Sequence, residues 1–242
     1  MRWLRRLRAR CAEWLTALGW TRPAGGEGRA MLKDLSIEKF SEQLAAGTPT
    51  PGGGSAAALS GALAASLLRM VCDLTIGREK FKEQQREVEA IRDRVEGYRR
   101  DLIALVDRDA QAFEAVMEAR RRPRGSDEEK RLRAEAVARA TQFATETPLA
   151  AAEACCALVT AAVDLMAKGN PNALSDAASG ALLAYAGLRG AIMNVRINLA
   201  DLPPGDALRA ARIRERVGRL EEEAERGRAR ILELFNRGIG AG

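Results

Sequence analysis

Residues 48–66 read TPTPGGGSAAALSGALAAS, two prolines and three glycines running into a series of small apolar residues. Two readings compete for such a stretch. A nucleotide-binding P-loop needs a Lys followed by Ser or Thr after its last glycine, so that an ammonium reaches the phosphates and a hydroxyl reaches magnesium. Gly54 is followed by Ser55 and Ala56, and that reading fails. What remains is a loop kept extended by Pro49 and Pro51 and loosened by Gly52, Gly53 and Gly54, with Ser55 as the expected N-cap of a helix. A helix start exposes free amides and a partial positive charge, which suit a carboxylate or a polar ring. A plain entry to a tightly packed helix fits the same residues.

Outward from this stretch the chain reads as helical throughout. Ala and Leu dominate and aromatics make up 4% of the 242 residues, which favours helices over strands. One helix is expected from Ser36 to about Ala46, and the small-residue helix from Ser55 to about Ile76, ending near Gly77. Arg69 and Asp73 interrupt the latter, which marks it as buried in protein rather than in lipid. A long charged helix follows from about Glu79 to Arg121. Its apolar residues Phe81, Val88, Ile91, Val95, Tyr98, Leu102, Leu105, Ala112 and Val116 alternate in threes and fours, the signature of a helix packed along its length. Asp109 falls on that stripe.

Ser126 with Glu129 forms a capping box. Thr147 and Pro148 read as N-cap and first residue of a further helix, ending at Gly169. The segment GNPNALSDAASGALLAYAGLRGAIMNVRINL opens with a turn and becomes a second small-residue helix, with Asp176, Gly180, Leu183, Gly187, Ala191, Asn194 and Asn198 along one side. A last helix is expected from about Asp206 to Phe235. The architecture is an all-α, multi-helical bundle of long antiparallel helices.

The chain has no histidine. Imidazole-based catalysis is thereby excluded, and the four cysteines lack the CxxC spacing of a zinc site, so no metal is expected. Acid–base work falls to carboxylates, Lys, Tyr or Cys. The cysteines suggest no disulfide framework, which points to a reducing cytoplasm. The vicinal pair Cys155 and Cys156 reads as core. Residues 1–30 carry seven Arg against two Glu, most of the chain's net +6, so its basicity gives no reason to expect nucleic acid. Trp3, Leu4, Leu7, Cys11, Trp14, Leu15 and Leu18 share one face of that segment, with arginines opposite. That pattern fits either an interfacial helix on an anionic membrane or a start site placed upstream of Met31. Residues 31–242 read as a single helical domain.

The glycine loop, the helix ending VCDLTIGREKF and the segment around NPNALSD resemble, in order, the formiminotetrahydrofolate cyclodeaminase and methenyltetrahydrofolate cyclohydrolase family. The resemblance covers the chain from Met31 onward and departs at Phe81 and Asp73, where the family more often carries Tyr and Asn. It implies a homodimer acting on the one-carbon unit of reduced folate, with no cofactor beyond that substrate. Hydrolysis of methenyltetrahydrofolate and deamination of formiminotetrahydrofolate are both compatible with the residues, and so is a helical protein that binds folate or a partner without turnover. In that light Asp109 and Asp176 are the candidate catalytic carboxyls. Gly52, Gly53, Gly54, Ser55, Lys80, Asn194 and Asn198 are candidate substrate contacts. Each also has an ordinary explanation. Asp109 is a register-fixing polar residue in a packed seam, Asp176 a helix-start acid favoured by the dipole, and the asparagines are helix-to-helix hydrogen-bond donors. Arg189 and Arg196 either attract an anionic substrate or form surface ion pairs.

Overall fold

A computed structural model describes residues 31–240; the basic segment 1–30 lies outside the described residues. Six α-helices follow in order: α1 (Ile37–Ala45), α2 (Gly53–Asp73), α3 (Gln85–Arg121), α4 (Asp127–Lys168), α5 (Leu174–Ala200) and α6 (Ala207–Gly240). Among the described residues there is no strand.

Helices α2, α3, α4 and α5 form an up-and-down four-helix bundle, and α6 packs on α4 and α5. The register of α2 on α5 is set by glycines. A Cβ at Gly187 would stand 2.8 Å from the Ala57 carbonyl oxygen, and one at Gly180 would stand 3.3 Å from that of Ala64. The two backbones therefore approach more closely than larger side chains permit, and Ser60 Oγ donates across them to the Leu183 carbonyl at 2.8 Å. On the other side of α2, a Cβ at Gly61 would stand 2.6 Å from Cys155 Sγ. Cys155 and Cys156 are buried core, as their neighbours predict, and burial pushes both thiols up to about 12, so they are not nucleophiles. Helix α6 runs parallel to α4 with a seven-residue ladder: Arg209 pairs with Glu146 at 3.1 Å, Arg216 with Glu153, and Glu223 accepts from Thr160 at 3.3 Å.

Local chemistry places most helix ends where the sequence puts them. Ser36 accepts from the Lys39 amide at the start of α1, and Ser126 and Glu129 complete the capping box of α4. Three expectations are corrected. Helix α2 begins two residues early, with Gly52 as N-cap, which turns the Ser55 side chain inward from the first turn rather than capping it. Helix α3 begins at Gln85, behind a separate 3-10 turn at Glu79–Phe81.

The third correction concerns Thr147 and Pro148. They do not restart the chain but sit inside the continuous helix α4. Proline has no N–H to donate to the carbonyl four residues back, here that of Ala144. That oxygen instead accepts from Asn198 Nδ2 of α5 at 2.6 Å. An interhelical side chain thus replaces the missing backbone bond and lets the helix run on.

This replacement predicts a thermodynamic coupling. Asn198→Ala leaves the Ala144 carbonyl unpaired and is expected to cost about 1–3 kcal/mol. In a Pro148→Ala background residue 148 supplies the donor itself, and the same substitution should cost under about 1 kcal/mol. Urea unfolding of the four chains of this double-mutant cycle measures the difference.

Candidate active site

The site assembles where the start of α2 meets α3 and the C-terminal part of α5. The first turn of a helix leaves amides without intrahelical partners. The carboxyl that meets one of them is the protein's own. The Ser55 amide donates to Asp109, and Ser55 Oγ lies 3.0 Å from Asp109 Oδ2 and 3.0 Å from the Val106 carbonyl oxygen. The absence of a side chain at Gly54 is what makes room: a Cβ there would stand 2.0 Å from Asp109 Oδ1, 2.5 Å from Cγ and 2.7 Å from Oδ2. The whole carboxyl lies against glycine backbone. Gly53 faces Asn194 of α5, whose Nδ2 is 3.6 Å from where a Gly53 Cβ would be and donates to its own helix at Gly190.

Burial raises the Asp109 carboxyl above the ordinary aspartate range; the Ser55 amide pulls it back in part, and the Ser55 hydroxyl does so only when it donates to the carboxylate. The result is a half-buried carboxyl that holds its proton to higher pH than a surface aspartate. Such a group gives up and recovers a proton at higher pH than a surface aspartate does, a service that a chain without histidine has to obtain from another side chain.

Six of the nine residues nominated from sequence, Gly52, Gly53, Gly54, Ser55, Asp109 and Asn194, are thus brought to one end of the bundle. Asn198 is one helical turn beyond Asn194, but its amide is committed to Ala144 of α4. Asp176 and Lys80 are elsewhere in the same chain. Because α5 runs antiparallel to α2, Asp176 lies beside the C-terminal end of α2, about 27 Å from Asn194 at about 1.5 Å rise per residue. Lys80 is exposed just past that end of α2, its ammonium 5.7 Å from the centre of the half-buried Phe81 ring. Asp73 is exposed and pairs with Arg69 at 3.5 Å. Arg189 and Arg196 both pair with Glu221 of α6, at 3.2 and 2.7 Å. Arg196 and Glu221 also line a cleft of about 420 Å³ between α5 and α6, separate from the Asp109 end of α2.

One residue beside the site escapes sequence reasoning. Asp107 is buried, accepts from the Leu32 amide at 2.6 Å and ties the turn Leu32–Asp34 to α3. Its partner lies 75 positions away and is backbone, which no side-chain pattern reveals. Among the described residues no group of three or more His, Cys, Asp or Glu side chains is placed to hold a metal.

With this geometry in view, the comparisons with known proteins agree with one another. The family model for formiminotransferase-cyclodeaminase matches residues 36–219. A methenyltetrahydrofolate cyclohydrolase of Methylorubrum extorquens is 43% identical over 192 residues, 79% of this chain and 92% of that protein. The formimidoyltransferase-cyclodeaminase of Mus musculus is 34% identical over 87% of this chain, which spans only 38% of that longer protein. A crystal structure of formiminotetrahydrofolate cyclodeaminase from Thermotoga maritima superposes with a TM-score of 0.76 at 26% identity, covering 86% of this chain and 99% of that one.

The Gly54–Asp109 contact makes a sharp test. Gly54→Ala must push the carboxyl away from the first turn of α2. Turnover of the enzyme's substrate is expected to fall by about 100-fold, the loss typical of a misplaced acid or base. Gly218→Ala serves as the control, because a Cβ there meets nothing within 4 Å. It should leave turnover within about twofold, and its helix should gain a few tenths of a kcal/mol or more.

Proposed function

The chain belongs to the formiminotransferase-cyclodeaminase family, and from that premise we propose that this folate one-carbon enzyme hydrolyses methenyltetrahydrofolate to formyltetrahydrofolate. The observation that carries hydrolysis over deamination is the 43% identity along nearly the whole length of a stand-alone cyclohydrolase. The likeness to the Thermotoga maritima cyclodeaminase favours the second reading, release of ammonia from formiminotetrahydrofolate. Both reactions ask the same service of the protein.

The methenyl carbon is a cationic amidine and already electrophilic. Catalysis then consists of placing a water, protonating the nitrogen that leaves and excluding other geometries. Asp109 is the acid–base residue in this reading. The first turn of α2 at Gly52–Ser55 forms one wall of the pterin site and Asn194 another, offering uncharged donors and acceptors to a polar ring.

Asp176 and Lys80 enter through a second copy of the chain. The outer sides of α2 and α5 carry large apolar residues in single stripes: Leu63, Met70 and Leu74 on one, Leu182, Met193 and Ile197 on the other. Leu63 is 50% and Ile197 68% exposed, on two helices that pack side by side. A contiguous apolar face of this kind favours association. An isologous pairing through a two-fold axis across the helices turns one copy end for end. It carries Asp176 and Lys80 of one subunit toward the Asp109 end of the other, so that two half-sites complete each pocket. Asp176 in this arrangement anchors the amino-pyrimidine edge of the pterin, whose two donors suit a carboxylate.

Two measurements separate these readings. Loss of the methenyl absorbance on adding enzyme supports hydrolysis; its appearance together with ammonia from formiminotetrahydrofolate supports deamination. Asp109→Asn should lower the active reaction by about 100-fold or more without unfolding the chain. Folded protein that binds folate and turns over neither substrate would remove both readings. For the dimer, Leu63→Glu combined with Ile197→Glu should yield monomers in sedimentation and lose turnover together. A fully active monomer would show that Asp109 works without a neighbouring subunit.

A further inference from the structure

The protons around Ser55 can be counted. Ser55 is fully buried, and its Oγ has two close oxygen neighbours, the Val106 carbonyl and Asp109 Oδ2, each at 3.0 Å. A hydroxyl carries one proton, and a carbonyl oxygen can only accept. If Asp109 is ionised, both neighbours are acceptors, so one of the two contacts is oxygen against oxygen with no proton between. In a buried place that is unfavourable. If Asp109 carries its proton, a continuous chain forms: the acid donates to Ser55 Oγ, and the Ser55 hydroxyl donates to Val106. Both contacts of the hydroxyl then hold one proton.

We propose that Ser55 is a positioning residue whose buried hydroxyl, anchored on the Val106 carbonyl, accepts a hydrogen bond from Asp109 and holds it as the neutral acid for the reaction. The assignment rests on the reading of Asp109 as the acid–base residue and deepens it, since it selects acid over base for the free enzyme. It also removes the Ser55 hydroxyl from the substrate contacts.

The surroundings agree. From α2, the stretch Gly53–Ala58 presents no titratable side chain. From α5 comes the uncharged Asn194, while Arg189 and Arg196 of that helix are paired with Glu221 of α6. On α3, Asp107 accepts the Leu32 amide on Oδ1 and keeps Oδ2 buried without a hydrogen-bond partner, with Lys33 and Asp34 beside it. Burial is the largest influence on the Asp109 carboxyl, and it acts in the direction of the neutral form.

In the hydrolysis the steps balance. Water adds its oxygen to the methenyl carbon and one of its protons leaves to solvent, which discharges the cation. The carbon–nitrogen bond then breaks with its electron pair going to nitrogen, and nitrogen takes the Asp109 proton. The hydroxyl on carbon becomes the formyl carbonyl, and its proton returns to the Asp109 carboxylate.

The direction in which one titration moves decides the matter. Infrared difference titration of the full chain follows the protonated carboxyl, identified by its disappearance in Asp109→Asn. In Ser55→Ala the acid loses its acceptor, so its titration should move down by about one pH unit, a tenfold change in ionisation. The pH above which kcat/KM falls should move down with it. Ser55→Cys, with a weaker acceptor of similar size, should move both in the same direction by less, and it keeps the test available where the alanine chain does not fold. Ser60→Ala removes a half-buried interhelical bond of the same helix and should move neither. An upward movement in Ser55→Ala would mean that the hydroxyl donates to an ionised carboxylate, and either that or an unmoved titration overturns the proposal. The infrared measurement needs no turnover. A displaced titration in a chain inactive on both folates would therefore sink the functional reading and leave the Ser55 assignment standing.

Discussion

The close approach of α2 to its neighbours, made possible by side chains that are missing, is the constraint from which the rest follows. Gly54 admits the Asp109 carboxyl, Gly61 admits Cys155 and the ends of Leu102, and Gly180 and Gly187 on α5 admit the carbonyls of α2. Each of these glycines costs its helix about 1 kcal/mol relative to alanine. The cost is offset by packing that no alanine could share, because at Gly187 the obstructing atom is backbone and cannot turn away. The small residues are thus a distance setting, and the acid at the head of α2 is one of its products.

Two opposing effects act on that acid. Exclusion from water raises its affinity for a proton, while a helix-start amide and the positive end of α2 favour its charged form. Were the second effect to prevail, Asp109 would be a firmly ionised cap, useful for stability and poor at giving up a proton. Burial prevails. A tenfold change in proton affinity takes only about 1.4 kcal/mol, a small imbalance between large opposing effects. The orientation of one hydroxyl is enough to influence such a balance.

Much of this was legible in the sequence. The period of the α3 stripe placed Asp109 among apolar residues, and the Ser126–Glu129 pair and Ser36 fixed two helix starts, because these signals are local and carried by neighbouring residues. What escaped was long-range. Pro148 looks like a helix start to any local reading, since the donor that repairs its missing bond belongs to Asn198 on another helix. Ser55 looks like a cap because serine usually is one, and only the glycines before it allow the helix to begin earlier. Asp176 shares a helical face with Asn194, but a face is a direction and says nothing of distance along the axis. Periodicity could align the two residues without bringing them to the same end.

The inward use of small residues has a consequence for the outside of the molecule. On an ordinary amphipathic helix the large apolar side chains fill the core and polar ones meet water. Helix α2 spends its buried face on Ala57, Ala58, Gly61, Ala62, Ala64 and Ala65, and Leu63 and Met70 are left pointing outward. Helix α5 does likewise with Ala177, Ala181, Ala184 and Ala191 buried and Leu182, Met193 and Ile197 exposed. Keeping such a surface in water forgoes about 25 cal/mol for each Å² that a partner could cover. The same pattern that lets backbones meet beside Asp109 therefore leaves several large apolar side chains uncovered along the two helices that build the site, although Leu68, Val71, Leu188 and Ile192 of the same helices are buried, and a surface that covered the exposed ones would add the burial that the small residues inside do not provide.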